Sequence, residues 1–186
     1  IMGPEVQELD RDLATFVGTK HCIACSSGTD AMLMPLMGWG IGPGDAVFTT
    51  PFTFVATAEV IALVGATPVF VDIQPDTYNM DPNLLAAAVN RTREQGELTP
   101  RAIIPVDLFG LPADYDAMMA IAKQDNLLLL EDACQAFGAE YKGKRAPSFG
   151  HAGATSFFPA KPLGCYGDGW AVFTDDDDLN ASMHSI

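Results

Sequence analysis

Short apolar runs and longer stretches of helical spacing alternate along this chain with little interruption, and few folds accept that pattern. Strands are expected over 21–25, 45–50, 67–71, 102–106 and 127–130, and helices over 4–17, from 28 onward, and over 54–64, 82–93 and 114–124. In the first helix Val6, Leu9, Leu13, Phe16 and Val17 recur at helical spacing and Gly18 stops the run. Asp81 caps the fourth, with Pro82 at its first position, while Pro35 should kink the second or end it early. Beyond Glu131 the pattern changes to short strands and turns, including 152–158 and 171–174. Alternation of this kind predicts an α/β fold, a mainly parallel sheet with helices on both faces. In such sheets ligands gather beyond the carboxyl ends of the strands. Four distinctive segments directly follow expected strands: Gly28-Thr29, Pro51-Phe52-Thr53-Phe54, Glu131-Asp132 and Phe158-Pro159-Ala160-Lys161. They should sit along one edge.

Composition narrows the class. Hydrophobic residues make up 48% of the 186, enough for a core and high enough to suggest a buried interface. Ten basic residues against twenty-four acidic ones leave a net charge of −14, which argues against nucleic acid or an anionic membrane surface as partner. Asp, Gly or Pro interrupts each apolar run before it reaches bilayer length, and the opening Ile1-Met2-Gly3-Pro4-Glu5 lacks the basic start and apolar core of a signal peptide. Four cysteines do not read as a disulfide framework. A soluble, cytoplasmic globular protein is expected.

The residues gathered at the edge match the needs of one cofactor, although spacing alone does not single it out. Pyridoxal phosphate requires a lysine amine, a carboxylate for its ring nitrogen, an anion cradle and a flat apolar surface. Lys161 can supply the amine and serve as a proton shuttle, and Asp132, after a buried strand, can hold the ring nitrogen. Gly28 and Thr29 at a helix start, together with Ser156, offer groups to a phosphate. Phe54 is a candidate stacking residue.

Longer motifs carry a resemblance. Ser27-Gly28-Thr29-Asp30-Ala31, Thr50-Pro51-Phe52-Thr53-Phe54-Val55-Ala56-Thr57-Ala58, Glu131-Asp132-Ala133-Cys134-Gln135-Ala136-Phe137-Gly138-Ala139 and Ser156-Phe157-Phe158-Pro159-Ala160-Lys161-Pro162-Leu163-Gly164 stand in this order. With Gly3-Pro4-Glu5-Val6 and Val71-Asp72-Ile73, they make the chain resemble the DegT/DnrJ/EryC1/StrS family of nucleotide-sugar aminotransferases over nearly its whole length. The resemblance implies the type I, aspartate-aminotransferase-like PLP fold. It implies Lys161 as the internal-aldimine lysine, Asp132 as the pyridinium partner and Gln135 as the partner of the ring hydroxyl, with Phe54 stacked on the ring and Gly28, Thr29 and Ser156 on the phosphate. It further implies glutamate as amino donor, a nucleotide-linked keto-sugar (UDP-linked and 3-keto by the wording) as acceptor, and a homodimer whose second subunit completes the site. Family members are longer, so residues 1–186 are expected to be most of the PLP-binding large domain of a larger enzyme, without its N-terminal lead and C-terminal small domain.

One position departs from the family. Trp170 stands where the pattern Gly-Asp-Gly-Gly has glycine, and a tryptophan there should cost stability or reshape the site. It gives weight to a rival reading, a catalytically degenerate regulatory or binding module. A related PLP-dependent sugar dehydratase would lack the lysine, and Lys161 argues against it.

Other patterns carry less. Gly138-Ala139-Glu140-Tyr141-Lys142-Gly143-Lys144-Arg145 nearly spells a Walker A loop, but Arg145 replaces the Mg²⁺-binding hydroxyl and Tyr141-Lys142-Gly143-Lys144 reads as a hairpin turn. Cys22 and Cys25 have metal-like spacing, yet three residues apart on a strand they face opposite ways. Asp175 to Asp178 read as a solvated helix start, His21, His151 and His184 show no metal spacing, and the eight methionines read as packing.

Overall fold

A computed structural model describes residues 3–186, the surroundings of Gly28 excepted. The elements run α1 (Pro4–Val17), β1 (His21–Cys25), α2 (Gly28–Gly38), β2 (Asp45–Thr49), α3 (Ala56–Leu63), β3 (Thr67–Phe70), α4 (Pro82–Gln95) and β4 (Thr99–Ile104). Then follow α5 (Tyr115–Asp125), β5 (Leu128–Asp132), a small hairpin of β6 (Glu140–Tyr141) and β7 (Lys144–Arg145), β8 (Ala152–Ser156), β9 (Trp170–Thr174) and α6 (Asp177–Met183). Local chemistry sets most ends. Asp81, Asp114 and Asp176 accept backbone N–H groups at the starts of α4, α5 and α6, and Gly18, Gly96 and Asn126 take left-handed conformations just past α1, α4 and α5.

Seven strands form one sheet in the order β1-β9-β8-β5-β4-β2-β3, and β9 alone runs against the others. Alternate residues on the central strands feed separate cores. Val47, Ile104 and Leu130 pack with Met32 and Leu36 of α2, Val60 and Ile61 of α3, and Leu179 of α6. Phe48, Ile103 and Leu129 pack the other way, against Leu85 and Val89 of α4 and Met118 of α5, while α1 covers Phe173 on that second face near the β1 edge. Helices on both faces of a mainly parallel sheet are what the alternation predicts.

Four boundaries differ from expectation in ways that matter. Pro35 does not end α2, which continues to Gly38. A helix-interior proline costs about 3 kcal/mol, but Met32 and Leu36 are fully buried and contribute about 1.5–3 kcal/mol each. The next turn is intact, with the Trp39 N–H donating to the Pro35 carbonyl at 2.9 Å. Helix α3 begins at Ala56, not Phe54, so Phe54 lies in the preceding loop. Strand β5 extends through Glu131 and Asp132, so Asp132 is its last residue, and β8 stops at Ser156.

Three discounted motifs have plain structural roles. Lys142 and Gly143 both have positive φ, 51° and 80°, the two-residue hairpin geometry that joins β6 to β7. Cys22 packs in the α1 core and Cys25 against the opposite one. Asp176 caps α6 and Asp177 pairs with Lys20 and His21, so the acidic run is a helix start. Among the described residues no helix is long and apolar enough to cross a membrane.

Candidate active site

At the carboxyl edge of the sheet a cavity of about 430 Å³ brings together Lys161, Asp132, Gln135, Phe54, Thr57 and Trp170, with Met32, Val106 and Phe158 among its apolar walls. A larger, more open hollow of about 980 Å³ lies at the opposite edge, around the starts of β4 and β5. Open α/β sheets place chemistry at the carboxyl edge, and the smaller cavity holds the convergent polar groups.

Asp132 is almost fully buried. Its Oδ2 accepts from the Thr57 hydroxyl at 2.8 Å and its Oδ1 from the Cys134 N–H at 3.2 Å. Thr57 sits in the first turn of α3, with its oxygen also 2.8 Å from the Thr53 hydroxyl, so loop and helix together aim the carboxyl group. Gln135 Oε1 accepts from the Phe109 N–H at 2.8 Å, which leaves the amide NH₂ as a donor toward the cavity. Lys161 lies half-buried in a tight loop after β8, its N–H bonded to the Phe158 carbonyl at 2.8 Å. The loop closes on itself where the Cys165 N–H donates to the Phe157 carbonyl at 2.7 Å. Glycine is required at 164, since a Cβ there would lie 2.5 Å from the Pro159 carbonyl oxygen. Phe54 stands at the mouth, 67% exposed.

Behind Asp132 lies a second acidic group. The Asp107 N–H donates to the Asp132 carbonyl at 3.0 Å, and Asp107 Oδ1 accepts from the Tyr115 hydroxyl at 2.8 Å and the Ala113 N–H at 2.9 Å. Glu131 points away from the cavity and accepts from the Phe149 N–H at 2.8 Å. Asp107 Oδ2 and Glu131 Oε1 are buried without a partner. Burial pushes both carboxyl groups up, Asp107 to about 7; the charge of Asp107 raises Glu131 further, while a hydrogen bond from Glu131 restrains the rise at Asp107. One proton held between the two would give both orphan oxygens a partner.

Two of the three expected phosphate residues lie off the cavity lining. Thr29 is half-buried in the first turn of α2, Ser156 is fully buried with its Oγ accepting the Phe158 N–H at 3.2 Å, and neither lines the cavity. The surroundings of Gly28, which opens α2, lie outside the described residues. Thr57 is a site residue that motif reading passed over, although its spacing from Thr53, one helical turn, is a usable signal. Cys134 and Trp170 are likewise cavity residues.

A family model for the DegT/DnrJ/EryC1/StrS aminotransferase family matches residues 1–186. The chain belongs to that family. Its fold is accordingly the α/β large-domain fold of the type I PLP aminotransferases. It is 55% identical to the UDP-2-acetamido-2-deoxy-3-oxo-D-glucuronate aminotransferase of Pseudomonas aeruginosa, across all of this chain and 50% of the relative. It is 49% identical to a protein named pleiotropic regulatory protein from Geobacillus stearothermophilus, across 96% of this chain and 46% of that one. The crystal structure of a DegT DnrJ EryC1 StrS aminotransferase from Brucella abortus superposes with a TM-score of 0.98 at 56% identity, covering 100% of this chain and 50% of the other. The chain thus spans about half the length of the curated relatives it matches.

Proposed function

We propose that residues 1–186 are the cofactor-binding portion of a PLP-dependent aminotransferase that moves an amino group from glutamate to a nucleotide-linked keto-sugar, UDP-linked and ketonic at carbon 3. The convergence of Lys161, Asp132 and Gln135 on one mainly apolar cavity carries this reading. The donor set fits the ring half of the cofactor: an amine, a buried carboxyl group fixed by two hydrogen bonds, and an amide donor. The name of the Pseudomonas relative, a 3-oxo UDP-sugar aminotransferase, supports the substrate class.

Bound there, pyridoxal phosphate supplies a carbonyl that takes up amines and a ring that accepts the electron pair released at the substrate carbon. Asp132 would hold a proton on the ring nitrogen, its carboxyl group kept oriented by Thr57 and the Cys134 N–H. Gln135 would donate to the ring hydroxyl, and Phe54, at the mouth of the cavity, would cover the ring. Lys161 would move a proton at its Nζ in each half of the exchange. Met32, Val106 and Phe158 keep water away from that transfer.

The exposed apolar groups near the same edge, including Val55, Phe109 and Leu111, support a homodimer that completes the site. Four free cysteines suit the reducing cytoplasm. The rival reading, a regulatory module, is not favoured by the relatives the chain matches, several of which are named sugar aminotransferases or transaminases. Borohydride reduction of the PLP-saturated complete reading frame, followed by peptide mass analysis, separates the two. The expected result is a pyridoxyl adduct on Lys161 that Lys161→Ala abolishes without loss of fold. A folded protein that yields no adduct supports the module.

A further inference from the structure

The antiparallel course of β9 puts its first residue, Trp170, among the carboxyl ends of its neighbours. Trp170 is paired with Ser156 of β8 on one side and Cys25 of β1 on the other. Directly paired residues in antiparallel strands project to the same face with Cβ atoms about 4.5–5.5 Å apart. That face is the one α2 covers, because Trp170 and Cys25 both pack against the core that contains Met32 and Leu36. A large indole therefore stands between two small side chains, under the first turns of α2. Trp170 lines the cavity together with Lys161 and Asp132, whereas Ser156 has no exposed surface; its Oγ accepts the Phe158 N–H and keeps its own proton to donate.

We infer that Trp170 closes the phosphate end of the site, so that this protein selects for the pyridoxal ring and scarcely for the phosphate. The inference rests on the cofactor reading above. A phosphate reaching the Ser156 hydroxyl has to pass the indole paired opposite it on β9, and Ser156 is itself fully buried. The ring end is unaffected, since Lys161, Asp132 and Gln135 all reach the open cavity.

Equilibrium dialysis of pyridoxal 5′-phosphate and of unphosphorylated pyridoxal against the complete reading frame tests this. With Trp170 present, the two compounds should bind within about threefold of each other, and Trp170→Gly should raise the preference for the phosphate at least about tenfold, the scale of charge-assisted hydrogen bonds gained. Parent protein that binds neither compound, with a Trp170→Gly variant that binds the phosphate, also supports the inference as complete closure. A parent that already prefers the phosphate by about a hundredfold or more overturns it while leaving the aminotransferase reading in place. Failure of both folded proteins to bind either compound overturns both readings. Should the glycine variant not fold, the ratio measured on the parent decides alone.

Discussion

At the scale of single residues, Asp107 and Glu131 make the clearest pH prediction. Free carboxyl groups titrate near pH 4, while burial raises both in the folded chain, Asp107 to about 7. Between those values the folded state holds the extra proton, so its contribution to stability is complete below about pH 4 and is lost as pH rises through about 7. The slope approaches about 1.4 kcal/mol per pH unit for one proton. Glu131→Gln supplies a permanent donor to Asp107, and the urea midpoint should then be nearly flat from pH 5 to 8. A midpoint that falls in parallel with that of the parent would remove the shared proton from consideration. Reading the sequence reached Asp132 and Lys161 because chemically unusual residues follow buried strands, and Gln135 only through the family resemblance. It passed over Thr57, whose role depends on which helix turn faces β5. The motif also gave Ser156 as a candidate, but its burial and its pairing opposite Trp170 depend on a strand further along the chain.

At the scale of elements, the loop from β8 to β9 matters most. It turns back tightly enough that the Lys161 and Cys165 N–H groups bond to carbonyls within the same loop. Gly164→Ala would press a methyl group into the Pro159 carbonyl. Overpacking of this kind costs about 1–3 kcal/mol, and here it should open the loop while the sheet stays folded. Limited proteolysis should show faster cleavage near Lys161 with an unchanged far-ultraviolet spectrum; cleavage at the parent rate would mean the loop has room to spare. Helices with an acidic cap and a terminal glycine, such as α4, were legible because both signals are local. The persistence of α2 through Pro35 was not, since tertiary burial overrides a local breaker. The start of α3 was misread for a related reason: the apolar Phe54 and Val55 looked like helix interior, yet both are exposed on the loop before it.

For the whole molecule, the alternating pattern was sufficient to imply the layered sheet, but strand order depends on contacts far apart in sequence. The aromatic cluster of Phe52, Tyr78 and Phe109 has ring centroids 5.7 and 6.3 Å apart at its two contacts, and all three rings are exposed. The expected consequence is concentration-dependent self-association in sedimentation velocity, weakened at least about tenfold by Phe109→Ser, as loss of a central aromatic anchor does. A monomer over the full concentration range would leave this surface without the partner proposed for it. Strand β1 has a different consequence. Its sole ladder partner is β9, which lies almost at the other end of the described chain. As the polypeptide leaves the ribosome, α1 and β1 must wait, with their apolar faces uncovered, until β9 has been made. A chaperone that shields these two elements has most to do before residue 174 emerges.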